Sequence, residues 1–380
     1  MFNSFIKANS KYTSDWPICE RFGTSNRTSL RSSRTWLGAL RARDNYWPKV
    51  QFAACTPAIT LRHSFPTMPR LSSEFVSVER PRTNSGVFAH TRWDATPVAA
   101  ALIHCAYFFG MFYLFPRVPL WVMFILGFIY SVSISWNING ISHNFIHNPY
   151  FRSPLLNRLF SIMESVTVGF SQIFYECIHM QHHKGNADRP DDAGETIDWI
   201  SIYKHGHDGE AEHPFKYTFF SFFREDPKTV FRELKRKDPR EAFWGVFELV
   251  SFVTNFVILG ILNWHYVCFL LPFWYFGHCL SYLNGYYRHY GGNPDEPIAW
   301  GVSTYHKFYN WTWFYNGYHA EHHFRPKVHW TRMQALRDQI IAQQRAKGVK
   351  VIKMPHALGF LEGDVPATEE SRQLQSKPVG

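Results

Sequence analysis

Four long stretches with almost no charged residues, joined in pairs by very short links, limit what this chain can fold into. The first pair covers 98–115 and 120–138, and the second covers 243–262 and 266–283. Each stretch has about 18–20 residues, and at about 1.5 Å per residue such a helix crosses roughly 30 Å of hydrocarbon. Lipid cannot hydrogen-bond to an open backbone, so these stretches must be helical. We therefore predict an all-α integral membrane protein with four transmembrane helices arranged as two hairpins.

The distribution of basic residues orients the predicted hairpins. The two short links contain one basic residue, Arg117, whereas nearly all other Lys and Arg lie on the opposite side. The positive-inside rule then predicts that both termini and the polar region 140–242 lie in the cytoplasm. Within that region, 155–175 is apolar but carries Arg158 and Glu164, and we expect it to be a helix lying at the membrane interface.

The net charge of +10 is concentrated near the N-terminus, where residues 1–67 carry ten Lys and Arg against three Asp and Glu. No basic helix stripe, zinc finger or RNA-binding signature accompanies this charge, so we predict no nucleic-acid partner. The Arg- and Ser-rich stretch 24–43 is typical of an organelle targeting peptide; the alternatives are a disordered tail, or sequence upstream of an initiator at Met68. We predict a basic tail at 1–67, a membrane domain at 68–335 and a polar C-terminal tail at 336–380.

Histidine is unusually frequent, with 20 residues, and eight of them form three patterned clusters. Positions i, i+3 and i+4 of a helix share one face, about 5–6 Å apart, so each cluster can aim two or three imidazoles at one point. Imidazole is a good ligand for iron, zinc and copper. Surface or core histidines, the alternative, are not expected to repeat an H-x-x-H-H pattern. The predicted metal ligands are His143, His147, His179, His182, His183, His319, His322 and His323.

The set H-x-x-x-H, H-x-x-H-H and H-x-x-H-H resembles the histidine boxes of the membrane fatty acid desaturase family. The first two boxes begin 36 residues apart, and the third begins 140 residues after the second, across one hydrophobic hairpin. The resemblance covers about residues 90–335. It implies that a cytosolic helical cap carries the boxes, that they bind two iron ions, and that O₂ is activated there. It also implies a lipid or acyl-chain substrate.

A segment after the fourth stretch adds a ninth candidate ligand. Residues 284–291 are similar to the N-Y-x-x-H-Y-G segment of the related alkane hydroxylases, with Gly285 as one extra residue. The similarity implies a ligand role for His289; a capping or interfacial histidine is the alternative. Alkane hydroxylases carry H-E-x-x-H first boxes, whereas Asn144 stands in that position here, and residues 324–326 are more like the desaturases. Desaturation is thus the leading hypothesis, and an alkane- or lipid-type hydroxylase or a ketolase of the same superfamily is the alternative.

Breaking an unactivated alkyl C–H bond needs an oxidising species that no side chain supplies, so a cofactor must carry the step. Nearby carboxylates are expected to fix imidazole tautomers, although solvation is the commoner role for any one acid. The candidates are Glu176, Asp188, Asp191, Asp192 and Glu321. Aromatic side chains could line a substrate tunnel or serve only in packing. These are Tyr107, Phe108, Phe112, Trp274 and Tyr275.

The electrons must come from another protein. The sequence contains no haem-binding H-P-G-G, no G-x-G-x-x-G fingerprint, and no C-x-x-C among its six cysteines. The resemblance implies a separate donor of the ferredoxin or cytochrome b5 type. A basic cytosolic face suits an acidic donor.

A metal transporter, or another His-rich metal-binding membrane protein, would be a different class. Transporters place ionisable residues inside their membrane spans. Here only His104, Glu248 and His278 lie within or near the apolar stretches, and the boxes lie outside them. This placement disfavours transport.

Overall fold

The computed structural model describes residues 86–184 and 196–362, and these parts are mostly helical. The predicted tail at 1–67 lies outside the described residues. The α-helices are α1 (Ala95–Leu114), α2 (Leu120–Trp136), α3 (His143–His147), α4 (Pro154–Val168), α5 (Gln172–His182), α6 (Pro214–Arg224), α7 (Pro227–Lys237), α8 (Pro239–His289), α9 (Lys307–Thr312), α10 (His319–Phe324) and α11 (Met333–Ala346). A π-helical turn (Asn137–Ser142) joins α2 to α3, and 3₁₀ turns cover Arg92–Asp94, Trp330–Arg332 and His356–Leu361. Strands β1 (Val302–Thr304) and β2 (Lys350–Ile352) pair in parallel.

Three helical segments of the described residues are long and apolar enough to cross a membrane. They are Arg92–Leu114, Leu120–His147 and Pro239–His289. Large apolar side chains on them face outward, such as Ile103, which is 70% exposed, and Ile261, which is 80% exposed. An outward apolar face of this size is unfavourable in water and suits hydrocarbon. The prediction of a helical integral membrane protein is thereby confirmed.

Helix α8 contains both apolar stretches of the second predicted pair, and it is interrupted at Asn263. The backbone of Asn263 is non-helical, with φ −160° and ψ 89°, and its Oδ1 accepts a hydrogen bond from Tyr266 N at 3.3 Å. The ring of Phe252 stacks on Trp274 with centroids 5.8 Å apart. In a straight helix, 22 residues would separate these positions by about 33 Å. The chain therefore reverses direction around Asn263.

The second half of α8 packs closely against α2. Ser131 Oγ donates a hydrogen bond to Phe273 O at 2.7 Å, and Gly277 lies against Ile134 and the backbone of Ser131. Small residues allow helices in lipid to approach closely. Together with Phe108, Tyr130, Ile134, Tyr266 and Leu270, these contacts form the largest apolar core of the described residues.

Helices α4 and α5 are fixed to the first half of α8 by a buried carboxylate. Glu248 accepts hydrogen bonds from Ser161 Oγ at 2.5 Å, Ser171 Oγ at 2.8 Å and Ile173 N at 3.0 Å. The single interfacial helix predicted for 155–175 is instead two helices. Gly169 ends α4 in the left-handed region, with φ +87°, where a Cβ would overlap the Trp274 ring. The exposed Leu155 and Leu159 on α4 remain consistent with an interfacial position.

The described residues after 335 are folded. Leu336 and Ile340 of α11 are buried in an apolar cluster with Ile298 and Val328, and β2 pairs with β1 beside the third histidine box. The part of the predicted polar tail at 336–362 is therefore packed against the rest of the protein. Residues 363–380 lie outside the described parts.

We predict that Gly277→Ala destabilises the protein by about 1–3 kcal/mol, the usual range for overpacking. The new Cβ would lie 2.8 Å from Ile134 Cβ and 2.9 Å from Ser131 O, a backbone atom. Thermal unfolding in detergent measures the effect. Gly110→Ala is the matched control, since a Cβ there meets no atom within 4 Å. Equal unfolding midpoints for the two variants would contradict the described contact between α2 and α8.

Candidate metal centre

The first histidine box follows directly from the second long apolar helix through a change in helical pitch. The π-helical turn Asn137–Ser142 carries the chain from α2 into α3, which consists of the first box, His143–His147. Such turns insert one residue into a helix and rotate everything after it. Tyr150 OH donates a hydrogen bond to Ile141 O at 2.8 Å and holds this turn. His143 and His147 are both buried as a result.

The other boxes lie on short helices with polar N-terminal partners. The second box ends α5, which is capped by Ser171. The third box opens α10, where Ser303 Oγ of β1 accepts a hydrogen bond from Ala320 N at 3.0 Å. Just before α10, Phe314 and Tyr315 have φ of +49° and +59°. Large residues rarely adopt this conformation, and its cost is tolerated mainly at functional sites.

All nine predicted ligands come together, in two adjoining groups. His143, His147, His179, His183 and His322 form the first group. His182, His289, His319 and His323 form the second. Within each group the possible ligand atoms lie within 4.8 Å of one another, so each group could hold a metal ion. The rings of His183 and His323 stack between the two groups, with centroids 4.3 Å apart.

The spacing of the nitrogens fits metal ligation. An imidazole nitrogen lies about 2.0–2.1 Å from a bound divalent ion. Two such ligands are therefore about 3.0 Å apart at right angles and about 4.2 Å apart when opposite. In the first group, His183 Nε2 is 3.0 Å from His179 Nε2 and 3.1 Å from His322 Nε2. In the second, His289 Nε2 is 3.1 Å from His182 Nε2 and 3.0 Å from His319 Nε2. His143 Nε2 is buried and has no hydrogen-bond partner among the described residues.

Each H-x-x-H-H box contributes to both groups. In the second box, His179 and His183 belong to the first group and His182 to the second. In the third box the division is reversed: His319 and His323 belong to the second group and His322 to the first. The i and i+4 side chains share one direction on a helix, and the i+3 side chain is offset from them. The H-x-x-H-H pattern thus allows one short helix to supply possible ligands to both groups.

The imidazoles outside the membrane-spanning segments are held neutral. Burial first, and neighbouring imidazoles second, lower their pKa values well below the usual 6.5. These are His179, His183, His319, His322 and His323. Neutral imidazole is the form that binds metal ions.

Two side chains that the sequence analysis did not predict contact the Nδ1 atoms of two of the nine imidazoles. Asp198 Oδ2 lies 2.7 Å from His182 Nδ1, and Asn316 Nδ2 lies 2.8 Å from His143 Nδ1. A carboxylate behind an imidazole fixes its tautomer and increases its basicity. Asp198 stands between the apolar residues Ile197 and Trp199 and is fully buried. A buried acid needs a hydrogen-bonding or ionic partner. The position of Asp198 between two apolar residues is therefore the feature of the sequence that could have predicted its role.

The acids proposed from sequence behave differently from Asp198. Glu321 is buried, but its carboxylate accepts hydrogen bonds from Ser303 Oγ and Tyr305 OH, both at 2.7 Å, rather than contacting an imidazole. Burial raises the pKa of Glu321. Glu176 is half-buried, while Asp188, Asp191 and Asp192 lie outside the described residues.

A cavity of about 400 Å³ reaches the histidine groups. His179, His182, His289 and His319 line one end, and its walls are mainly aromatic and aliphatic, including Phe170, Phe174 and Trp274. Of the five aromatic residues proposed for a tunnel, Trp274 lines this cavity. Phe108 is buried in the core with Tyr107 and Phe112 packed against it, and Tyr275 donates a hydrogen bond to Phe219 O. The shape and lining suit a flexible apolar chain.

A second, wider groove of about 990 Å³ lies along α1, α2 and α9. Its lining is rich in tryptophan, including Trp93, Trp136, Trp311 and Trp330. None of the nine histidines contributes to it. The narrower cavity is therefore the one that connects with the candidate metal centre.

Comparison with known proteins identifies the class to which this fold and site belong. The fatty acid desaturase family matches residues 119–354, and the chain belongs to this family. It is a membrane oxidoreductase of lipid metabolism. The resemblance inferred from the boxes is thereby confirmed.

Three relatives carry a more specific description. The sphingolipid delta(4)-desaturase of Schizosaccharomyces pombe is 24% identical over 261 residues, covering 65% of this chain and 68% of that protein. The sphingolipid delta(4)-desaturase of Candida albicans is 23% identical over 266 residues, covering 65% and 69%. A sphingolipid delta(4)-desaturase DES1-like protein of Oryza sativa subsp. japonica is 24% identical over 265 residues, covering 65% and 67%.

We predict that the metal-free protein loses stability as the pH falls below about 6.5. The five buried imidazoles stay neutral in the folded state, whereas the unfolded chain takes up protons near the ordinary pKa of 6.5. Each contributes up to about 1.4 kcal/mol per pH unit below that point, in favour of unfolding. Thermal unfolding of chelator-treated protein between pH 7.5 and 5.5 measures the slope. The double variant His319→Asn, His323→Asn should have a shallower slope, and identical slopes would contradict the description.

We also predict that Asp198→Asn weakens metal binding about 10- to 100-fold, the usual effect of losing a carboxylate behind a ligating imidazole. Competition with a chelator measures the affinity. Glu210→Gln removes an exposed carboxylate that lies outside the two groups and serves as the control. Equal metal affinity in the two variants would show that Asp198 does not support a ligand.

Proposed function

We propose that the protein desaturates a lipid chain with O₂ at a pair of iron ions held by the nine histidines. One observation carries this proposal: two adjoining groups of closely spaced imidazoles, eight of the nine buried, lie beside an apolar cavity. The family assignment supports lipid desaturation in general. The overall reaction converts –CH₂–CH₂–, O₂, two electrons and two protons into –CH=CH– and two molecules of water.

Iron fits the donor set and the reaction. Imidazole nitrogens suit iron, copper and zinc alike, but zinc has no redox chemistry. Two irons would supply the oxidising power needed to remove hydrogen from an alkyl C–H bond. His143, His147, His179, His183 and His322 would hold one ion, and His182, His289, His319 and His323 the other.

The protein's own contribution is to bind and orient the chain. The aromatic walls exclude water and confine a flexible alkyl chain, which lowers the entropy lost in reaching the reactive geometry. His278 lines the same cavity, and its Nε2 lies 3.0 Å from Val168 O. Asp198 and Asn316 keep His182 and His143 in a fixed tautomer and orientation.

We further propose that the apolar helices form four spans in two hairpins, with the histidine groups on the cytosolic side. The reversal of α8 at Asn263 and the short link between α1 and α2 support this arrangement. His143 begins α3, which follows α2 after the π-helical turn, and His289 ends α8; both positions are distant from those links. The basic residues lie mostly on the same side, which the positive-inside rule assigns to the cytoplasm.

The names of the relatives suggest the substrate class. All three are described as sphingolipid delta(4)-desaturases, and we propose that N-acyl sphingoid lipids be tested first. A separate donor of the ferredoxin or cytochrome b5 type would supply the electrons, because the sequence contains no motif for a redox cofactor of its own. The basic helix α7, with Lys235, Arg236 and Lys237 in its last turn, offers charge complementary to an acidic donor.

Hydroxylation is the competing outcome, because it begins with the same hydrogen abstraction. The position of His289 in the second group supports hydroxylation as a second candidate function, since the segment around His289 is similar to one in alkane hydroxylases. Product analysis separates the two reactions.

We predict that cells expressing the protein under ¹⁸O₂ accumulate a lipid that is two mass units lighter and contains no ¹⁸O. The reason is that desaturation sends both oxygen atoms to water. Mass spectrometry of extracted lipids, with cells carrying a histidine-box variant as the reference, measures the product. An ¹⁸O-labelled alcohol in place of the alkene would instead establish hydroxylation.

We predict that His182→Ala and His322→Ala, one from each group, abolish turnover and lower the iron content while leaving membrane insertion intact. Each removes one ligand of one ion, and the spans do not depend on it. Iron is measured on purified protein, and insertion by membrane fractionation. His207→Ala removes an exposed histidine outside both groups and should match the wild type. Full activity in either ligand variant would refute the assignment.

A further inference from the structure

Arg288 is a buried cation for which the described residues provide no partner. It lies in the last turn of α8, directly before His289, and is 4% exposed. Its Nε and Nη2 are buried without a hydrogen-bond partner. No carboxylate of the described residues forms an ion pair with it; Glu225, which lines the same cavity, instead accepts a hydrogen bond from Tyr282 OH. The guanidinium therefore retains donors that the described protein does not use.

An unpaired guanidinium in this position is energetically unfavourable. Arginine stays charged in proteins, and a buried charge is costly unless it is paired and hydrogen-bonded. A residue that only stabilised the fold would be better replaced by a neutral side chain. The charge is explained if an oxygen acceptor binds there from outside the chain.

The cavity offers the space for that acceptor. His278, Ser281, Tyr282, Gly285 and Arg288 all line it, and their spacing places them along one face of α8. At Gly285, one turn before Arg288, a Cβ would meet no atom within 4 Å, so the cavity is open beside the guanidinium. His182, His289 and His319 line the same end of the cavity. A single cationic fork thus lies between apolar walls and the histidine groups.

We propose that Arg288 binds the polar end of the lipid substrate through one or more oxygen atoms. Because Arg288 and His289 are adjacent and line the same cavity, the carbons presented to the histidine groups lie a few bonds from that polar end. Arg288 is then a specificity-determining residue: it selects lipids with an oxygen acceptor near the head of the chain and sets the position of the double bond. The position of the double bond rests on the proposed function, whereas the binding of the polar end does not.

Two kinds of lipid share the required chemistry. A free fatty acid offers a carboxylate, which can accept two parallel hydrogen bonds from a guanidinium. An N-acyl sphingoid base offers hydroxyl and amide oxygens, which accept from the same donors. A plain hydrocarbon has no oxygen acceptor, so Arg288 should not increase its binding affinity.

Equilibrium binding tests the proposal on the purified, iron-loaded full-length protein in mixed micelles. The radiolabelled probes are palmitic acid, N-palmitoyl sphinganine and hexadecane. Arg288→Gln should lower the binding affinity for whichever polar lipid the wild type binds. The expected loss is about 10- to 100-fold, which is typical of hydrogen bonds to a charged group. Hexadecane binding should not change. Arg232→Gln, at an exposed arginine of α7 that does not line the cavity, is the control and should bind like the wild type.

Two further measurements separate binding from a structural role. Arg288 has no hydrogen-bond partner for Nε and Nη2 among the described residues, so the unfolding midpoint of Arg288→Gln should equal or exceed that of the wild type, and its iron content should be unchanged. Arg288→Lys keeps the positive charge but lacks the planar guanidinium, and it should bind the polar lipid with intermediate affinity. This variant replaces Arg288→Gln in the binding test if the glutamine variant fails to fold. Gly285→Leu fills the cavity beside Arg288 and should weaken the binding of every probe that the wild type binds.

The outcomes decide between the proposal and its rivals. Unchanged affinity for polar lipid in both Arg288 variants would overturn it, as would a lowered unfolding midpoint with intact binding. If no lipid is desaturated but polar binding depends on Arg288, the proposed function fails and the binding site stands. If desaturation occurs, Arg288→Gln should yield double bonds at several positions, and a single unchanged position would refute the role in positioning.

Discussion

The structure depends on holding nine imidazoles close together in one small volume. Nitrogens 3.0–3.1 Å apart cannot all carry protons, and burial already disfavours the charged form. The surrounding protein achieves this by enclosing the boxes between the ends of α2 and α8 and the short helices α5 and α10. The long apolar helices thus do more than anchor the protein, since their ends form part of the wall that excludes water from the site.

Much of this arrangement was predictable from sequence because it depends on periodicity. The length of the apolar stretches predicted membrane-crossing helices, and the i, i+3, i+4 spacing predicted that His179, His182 and His183 would act together. His289 was predicted only through a resemblance, and the structure places it in the second group. The interruption of α8 falls within the predicted link 263–265, where Asn263 leaves helical geometry and its Oδ1 accepts a hydrogen bond from Tyr266 N.

Other features depend on contacts between distant parts of the chain, which periodicity does not encode. Asp198 lies 16 residues from His182, and Asn316 lies 173 residues from His143. The division of 155–175 into two helices depends on Gly169 lying against Trp274. The packing of 336–362 was missed because its first part is polar overall, and the contacts of Leu336 and Ile340 with Ile298 and Val328 join separate parts of the chain.

The division of each H-x-x-H-H box between the two groups has a consequence for assembly. Because α5 and α10 each supply ligands to both groups, an ion bound in one group fixes the backbone that carries ligands of the other. The conformational entropy of ordering these helices would then be lost only once, so a second ion would bind to a group that is already ordered. Filling should be cooperative, and species with a single ion should be rare at equilibrium. The two groups would then act as one unit, and a substitution that loosens either short helix would disturb both.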